Sequence, residues 1–518
     1  LEALLADPAT KKPVILTEYI HCMGNSPGDI EDYFQLMSRY PNLAGGFIWE
    51  WRDQSADMGY TEDGRTKYFY GGDYGDFPNC GNFCVDGITY PDGRPHTGLF
   101  EHKNVFRPAR IKACDLTTGS FTLTNLLSFT DLSELLELKY EITQDGMPWE
   151  SGRIPCPTAP PRQTAAFTLP YTLPESGRCF LRIRMMANRS VPFADSEEEF
   201  EYGFDQFELP IPGTGFVPGC LDETGSLTVR EEADAYHILG NGFLYRFNRL
   251  SASFDRLYVD GEELLSEPAA YTLWRAPTDN DRYIREEWEA AGYDRTFPRV
   301  YESTCRIMEN AVRIDCHLSL TAVALQPILY LDVTWQIDAA GRIRGSVDAN
   351  KESCFPYLPR FGIHFALPRE FDTVTYFGYG PFESYCDKHR ADYVGLFHET
   401  VDDLFEDYIK PQENGSHFGC EYLRLESPRH AFTVTAQLPF SFQALPYSAA
   451  ELTRKRHSCE LVKSGYTHLT VDYAMSGIGS NSCGPALADE YRFSETEFHW
   501  DFLLAFERLS APMSPRCI

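Results

Sequence analysis

Apolar and polar positions follow one rhythm near the N-terminus and another through the rest of the chain. Val14-Ile15-Leu16-Thr17 is a short apolar run suited to a strand buried on both faces. After Gly24-Asn25-Ser26-Pro27-Gly28-Asp29, residues Ile30, Tyr33, Phe34 and Met37 recur at helical spacing. Ser26 suits a helix N-cap, Pro27 the first helical position, and Asp29 the positive end of the helix dipole. The helix is expected to stop near Tyr40-Pro41, and Gly45-Gly46-Phe47-Ile48-Trp49-Glu50-Trp51 reads as a second strand. Strand, helix and strand in this order predict two parallel neighbours joined by a right-handed crossover.

From about residue 105 the helical period nearly vanishes. Leu135 to Ile142 and Phe180 to Met185 alternate like half-buried strands, with prolines 155, 157, 160, 161, 170 and 174 as punctuation. Residues 105–210 are therefore expected to form an immunoglobulin-sized β-sandwich. Leu209 to Gly215 reads as a linker, the acidic cluster Glu197 to Glu201 as a solvated loop, and residues 220–518 as one large β domain.

Composition narrows the function. The 518 residues carry 46 Lys+Arg against 76 Asp+Glu, a net charge of −30. That balance argues against nucleic acid and against anionic membrane surfaces, both of which demand basic contacts. No apolar stretch approaches the ~18 residues of a membrane span. Leu1 to Asp7 lack the form of a signal peptide. The charge leaves a neutral ligand as the default, and fifteen cysteines without C-x-x-C pairs read as reduced, mostly buried thiols, hence a cytoplasmic setting.

Gly24-Asn25-Ser26-Pro27-Gly28 matches G-x-S-x-G between a strand and a helix. Pro27, however, has no N–H to serve as an oxyanion donor, so capping is the preferred reading of Ser26. Zinc, Walker and EF-hand signatures are absent. Glu18, directly after the first strand, stands where barrel enzymes keep catalytic groups, with His21 three residues on. Trp49 and Trp51 share one face of the second strand and Glu50 takes the other. Carboxylates beside aromatic faces suit a sugar site, while a local ion pair and core tryptophans are the plainer alternative.

These segments also resemble a known family. Thr17-Glu18-Tyr19-Ile20-His21-Cys22-Met23-Gly24-Asn25-Ser26 is similar to the nucleophile segment of bacterial β-galactosidases of glycoside hydrolase family 2. Gly45 to Ser55, Tyr70 to Asp76, Asn82 to Gly87, Arg275 to Asp281 and Gly378 to Tyr385 resemble further family segments, in the family's order. The resemblance implies a mainly β multidomain chain: residues 1–104 as the C-terminal remnant of a (β/α)8 barrel, 105–210 as the sandwich, and 220–518 as a β-supersandwich. It implies retaining hydrolysis of β-D-galactosides. Glu18 would be the nucleophile, His21 would bind sugar hydroxyls, and Trp49 would stack on galactose. The Phe83 carbonyl and Asp86, where the family often has Asn, would help hold a sodium ion.

Two departures accompany the resemblance. Gly477 to Gly484 matches a segment in which some members place a sugar-stacking Trp, and Cys483 stands there. The family's acid/base Glu and magnesium ligands lie upstream of the nucleophile strand, where this chain has 17 residues. The isolated chain is thus expected to be inactive, with galactose or a β-galactoside as ligand and a homo-oligomer or a complementing N-terminal polypeptide as partner. Replacement of the missing acid by Glu50, Asp53 or Asp76 is a residual possibility, and a non-catalytic carbohydrate-binding β module is the alternative of another class. Residues 1–104, with two strands lacking neighbours, are expected to be the least stable part.

Overall fold

A computed structural model describes residues 1–188, 199–213, 225–309 and 311–509. It opens with a helical turn, α1 (Glu2–Ala6), then β1 (Val14–His21), α2 (Ile30–Arg39) and β2 (Leu43–Trp49). β1 and β2 pair in parallel, with Val14 opposite Leu43 and His21 opposite Trp49, as the alternation of elements predicts. A hairpin, β3 (Ala56–Tyr60) with β4 (Thr66–Phe69), precedes α3 (Thr97–Val105).

Two local expectations fail. The first strand is not buried on both faces, because Ile15 is 54% exposed. Phe47, Trp49 and Trp51 are exposed as well, and none of the described elements covers that side of the β1–β2 pair. The second concerns Ser26. The helix starts at Ile30 with Asp29 before it, and no side chain caps it. Ser26 is buried and accepts a hydrogen bond from Asn280 Nδ2 at 2.7 Å, so a tertiary partner takes the oxygen that capping would use. Burial also leaves it unable to act as a surface nucleophile.

Seven antiparallel strands follow. Ala109–Asp115, Ser120–Asn125 and Thr164–Thr168 form one sheet, while Leu136–Gln144, Met147–Pro155, Cys179–Ala187 and Glu201–Glu208 form the other. Alternate residues such as Phe121, Leu123, Leu138, Leu181 and Ile183 fill the space between them. Leu209, expected in a linker, belongs to this core and donates its N–H to the Cys179 carbonyl. Residues 214 and 215 of that segment lie outside the described residues, as do Glu197 and Glu198. The rest of the acidic cluster is not a free loop: Glu199 pairs with Arg153 and Lys139, and Glu201 with Arg184.

The largest part is a 12-stranded antiparallel sheet packed with a five-stranded one around Trp288, Trp335 and Trp500. The thirteen described cysteines are free, yet only five are buried; Cys80, Cys114, Cys354 and Cys483 are exposed, so the expectation of mostly buried thiols is not met. No helix among the described residues is long and apolar enough to cross a membrane.

The open β1–β2 face yields a direct expectation. Phe47→Lys removes an exposed apolar side chain, so unfolding free energy should change by less than about 0.5 kcal/mol. Self-association by light scattering should fall at the same time. Unchanged scattering, or a large loss of stability, would mean that this face is covered in solution.

Candidate active site

The C-terminal end of β1 runs from exposed Glu18 into buried Tyr19, Ile20 and His21. β2 brings Trp49 beside it, and the loop before α3 brings Asp86 beneath both. Trp49 Nε1 donates to Asp86 Oδ2 at 3.2 Å, and His21 Nε2 lies 3.6 Å from the same oxygen. The Phe83 ring is 6.3 Å from the His21 ring. The five residues singled out in the sequence therefore gather at one end of the parallel strands. Trp49 is 38% exposed and is not a core residue.

Electrostatics separate the members. Burial pulls the His21 imidazole below its usual range, opposed by the nearby charges of Glu18 and Asp279. His21 Nδ1 shares a 2.7 Å hydrogen bond with the Ser482 hydroxyl. Burial and the neighbouring Glu50 carboxylate push Asp86 up to about 7. Its Oδ1 is buried without a hydrogen-bond partner among the described residues. Such an atom is costly to leave bare. Asp53 is fully committed, bound to His96 at 2.9 Å and to the Gly87 N–H at 2.8 Å. Asp76 accepts from the Gly72 N–H.

Behind this end lies a buried polar junction with the large β domain. Lys388, whose side chain is 2% exposed, donates from Nζ to Glu383 Oε1 at 2.9 Å, Asn25 Oδ1 at 2.8 Å and Thr97 Oγ1 at 2.7 Å. Burial alone would raise the Glu383 carboxyl. Lys388, Tyr408 and the Gly415 N–H outweigh it and hold the carboxyl below its usual range. Asn25 Nδ2 completes its set on Tyr385 OH and the Glu413 carbonyl. Asn280 Nδ2 bonds Ser26 Oγ, and its Oδ1 accepts from the Ser482 N–H, so one amide ties the loop after β1 to the loop that holds His21. The approach is close: a Cβ on Gly28 would sit 2.3 Å from Asp387 Oδ2, and one on Gly98 2.3 Å from the Ser26 carbonyl.

Sequence reasoning placed Glu18, His21, Trp49, Phe83 and Asp86, and missed Ser482, Asn280 and Lys388. The segments carrying these three residues or lying beside them were legible only as resemblances without a role.

Comparison with known proteins sets this end of the molecule among glycoside hydrolases. The family model described as "Glycosyl hydrolases family 2, TIM barrel domain" matches residues 2–111. "Beta-galactosidase, domain 4" matches 121–210 and "Beta galactosidase small chain" matches 239–504. The chain belongs to the β-galactosidases of glycosyl hydrolase family 2, as a C-terminal portion with a barrel remnant. It is 40% identical to a β-galactosidase of Actinobacillus pleuropneumoniae over 96% of this chain and 48% of that one. The corresponding values are 34%, 98% and 50% for Staphylococcus xylosus, and 28%, 96% and 49% for Pseudoalteromonas haloplanktis. The chain thus spans about half the length of these relatives.

Two expectations test the junction. Lys388→Met strands the Glu383 charge and should cost about 3–5 kcal/mol in urea unfolding. Adding Glu383→Gln should recover part of that loss; a purely additive double variant would show the two groups are not coupled. The second concerns Asp29, which burial pushes up to about 7. A carboxyl raised in the folded state stabilises fully below its unfolded value, and that contribution is lost as pH rises through the folded value. Asp29→Asn, which keeps an acceptor for Ser480, should therefore gain stability relative to the parent between about pH 4 and pH 7. A pH-independent difference would contradict the assignment.

Proposed function

We propose that this chain supplies the nucleophile side of a retaining β-galactosidase site. The observation that carries the reading is convergence: Glu18, the His21–Asp86 pair and half-exposed Trp49 meet at the end of two parallel barrel strands. The relatives, each a β-galactosidase by name, support galactose as the sugar. In this reading the Glu18 carboxylate attacks the anomeric carbon, the bond to the leaving oxygen breaks, and a galactosyl ester forms. His21, kept neutral by burial and oriented by Ser482, offers a hydrogen bond to sugar hydroxyls. Trp49 gives an apolar face to the ring, and its fixed N–H bond to Asp86 holds the indole in place.

A sodium ion fits at Asp86. The unpartnered Oδ1 is an oxygen ligand without a donor, and the Phe83 carbonyl lies three residues away in the same loop. When bound, the ion would supply a fixed positive charge for sugar oxygens. Among the described residues no group of three or more His, Cys, Asp or Glu could hold a metal, so carbonyl and hydroxyl oxygens would complete its shell. Magnesium, in this reading, belongs to residues outside this sequence.

Retention requires a second carboxyl about 5–5.5 Å from the nucleophile. Asp53 and Asp76 are engaged elsewhere, and Glu50 is held beside Asp86 and Gln54. The acid/base would therefore come from barrel residues outside this sequence, in a preceding region of the same protein or on a complementing polypeptide, and these 518 residues by themselves would not turn over ordinary galactosides. A leaving group that needs no proton separates the two halves of the mechanism. Dinitrophenyl β-galactoside should release one equivalent of phenolate per chain and leave galactose esterified to Glu18, detected by mass spectrometry and absent in Glu18→Gln. Methyl β-galactoside should remain intact. Sustained hydrolysis of the methyl glycoside by the chain alone, or a label on another residue, would overturn the reading.

A further inference from the structure

The rim of the site carries an arginine without a carboxylate. Arg282 follows Asp281, whose side chain is consumed by the buried Arg275 at 2.7 and 3.1 Å. The neighbouring Arg285 and Arg295 also hold carboxylates, Glu289 and Asp294. The Arg282 guanidinium instead lies 4.6 Å from the centre of the Phe83 ring and 5.0 Å from that of Tyr283. Among the described residues its one hydrogen bond goes to the Ser482 carbonyl at 3.3 Å. No carboxylate among the described residues pairs with it, in a chain with 76 acidic groups to 46 basic ones. Contact with two rings restricts the guanidinium, and among the described residues only one of its nitrogens is engaged, so donors remain for a ligand.

Its place is defined by two routes to His21. Ser482, whose carbonyl Arg282 holds, bonds His21 Nδ1 through its hydroxyl at 2.7 Å. Phe83, on which Arg282 stacks, has its ring 6.3 Å from that of His21. Cys483 sits on the same rim, where the charges of Arg282, Asp86 and Glu18 all reach its thiol. His21 and Asp86 are buried and line the floor, whereas Arg282 and Cys483 are exposed. A galactosyl group seated on the floor would direct its leaving group outward, towards Arg282.

We propose that Arg282 forms an anion-recognising subsite for the leaving group, favouring β-galactosides whose aglycone carries a carboxylate within reach of the rim. The proposal rests on the galactoside reading of the floor. The carboxylate would dock on the guanidinium fork as a charge-assisted pair, partly screened because the rim is open. A plain neutralising role for Arg282 would act alike on charged and uncharged aglycones; a subsite would not.

The test uses the 518-residue chain and calorimetric binding of two isosteric probes, p-carboxyphenyl and p-carbamoylphenyl β-galactoside. The parent chain should prefer the carboxylate by about fivefold at low salt, and the preference should shrink at high salt. Arg282→Gln should abolish that preference, so that the two probes bind the variant equally. Equal affinity for both probes in the parent, with binding that still depends on Trp49, overturns the subsite alone. Failure of galactose and of both probes to bind overturns the floor reading, and the subsite with it. An equal loss for both probes in Arg282→Gln also overturns it.

Discussion

A single ammonium group governs how the two ends of this molecule meet. Lys388 lies in the large β domain, almost wholly out of water, and three of its contacts are Glu383, Asn25 and Thr97. A buried charge is tolerated only when its hydrogen-bonding capacity is met, so the loop after β1 and the start of α3 must both dock for Lys388 to be satisfied. Such a pair adds little net stability compared with apolar packing, but it tolerates few alternative arrangements. The docking in turn sets where β1 ends, and with it Glu18 and His21. Asn280 repeats the arrangement with a neutral group, joining Ser26 to the Ser482 loop that orients His21.

The consequence is a site with a rigid back and an open front. The back consists of His21, Asp86 and the amide and hydroxyl groups behind them, all buried. The front is the uncovered face of β1 and β2, where Phe47, Trp49 and Trp51 meet solvent. Parallel sheets are normally covered on both sides. Membership of the β-galactosidases and a match to about half of the relatives' length fit a chain that holds the β scaffold and part of a barrel. The large β domain is thus no passive appendage, because its loops complete the polar shell of a barrel strand.

How much could be read from the sequence depended on distance along the chain. The parallel β1–β2 pair and the alternating sandwich strands were legible because their apolar period is local. Glu18, His21 and Trp49 were legible because a strand end concentrates them within a few residues. Ser482 was not, since its partner His21 lies 461 positions away, nor was Lys388, which is 363 positions from Asn25. No period links such pairs. Ser26 was misread for the same reason: a local rule suggested a cap, and a partner 254 residues on claimed the hydroxyl. Ile15 was misread because its sequence context is that of a covered strand, whereas none of the described elements covers it.

Amide hydrogen exchange of the 518-residue chain carrying Lys388→Met, read against a Trp335→Leu variant of matched stability, tests most directly whether the junction positions the site. Trp335 is buried in the core of the large domain, against Phe254 and Phe502. The account predicts that Lys388→Met selectively speeds exchange in Tyr19–Asp29 and Thr97–Val105, while strands Leu329–Asp338 and Ile343–Lys351 keep their protection. Equal loss in both variants, or protection of Tyr19–Asp29 that survives Lys388→Met, would contradict it.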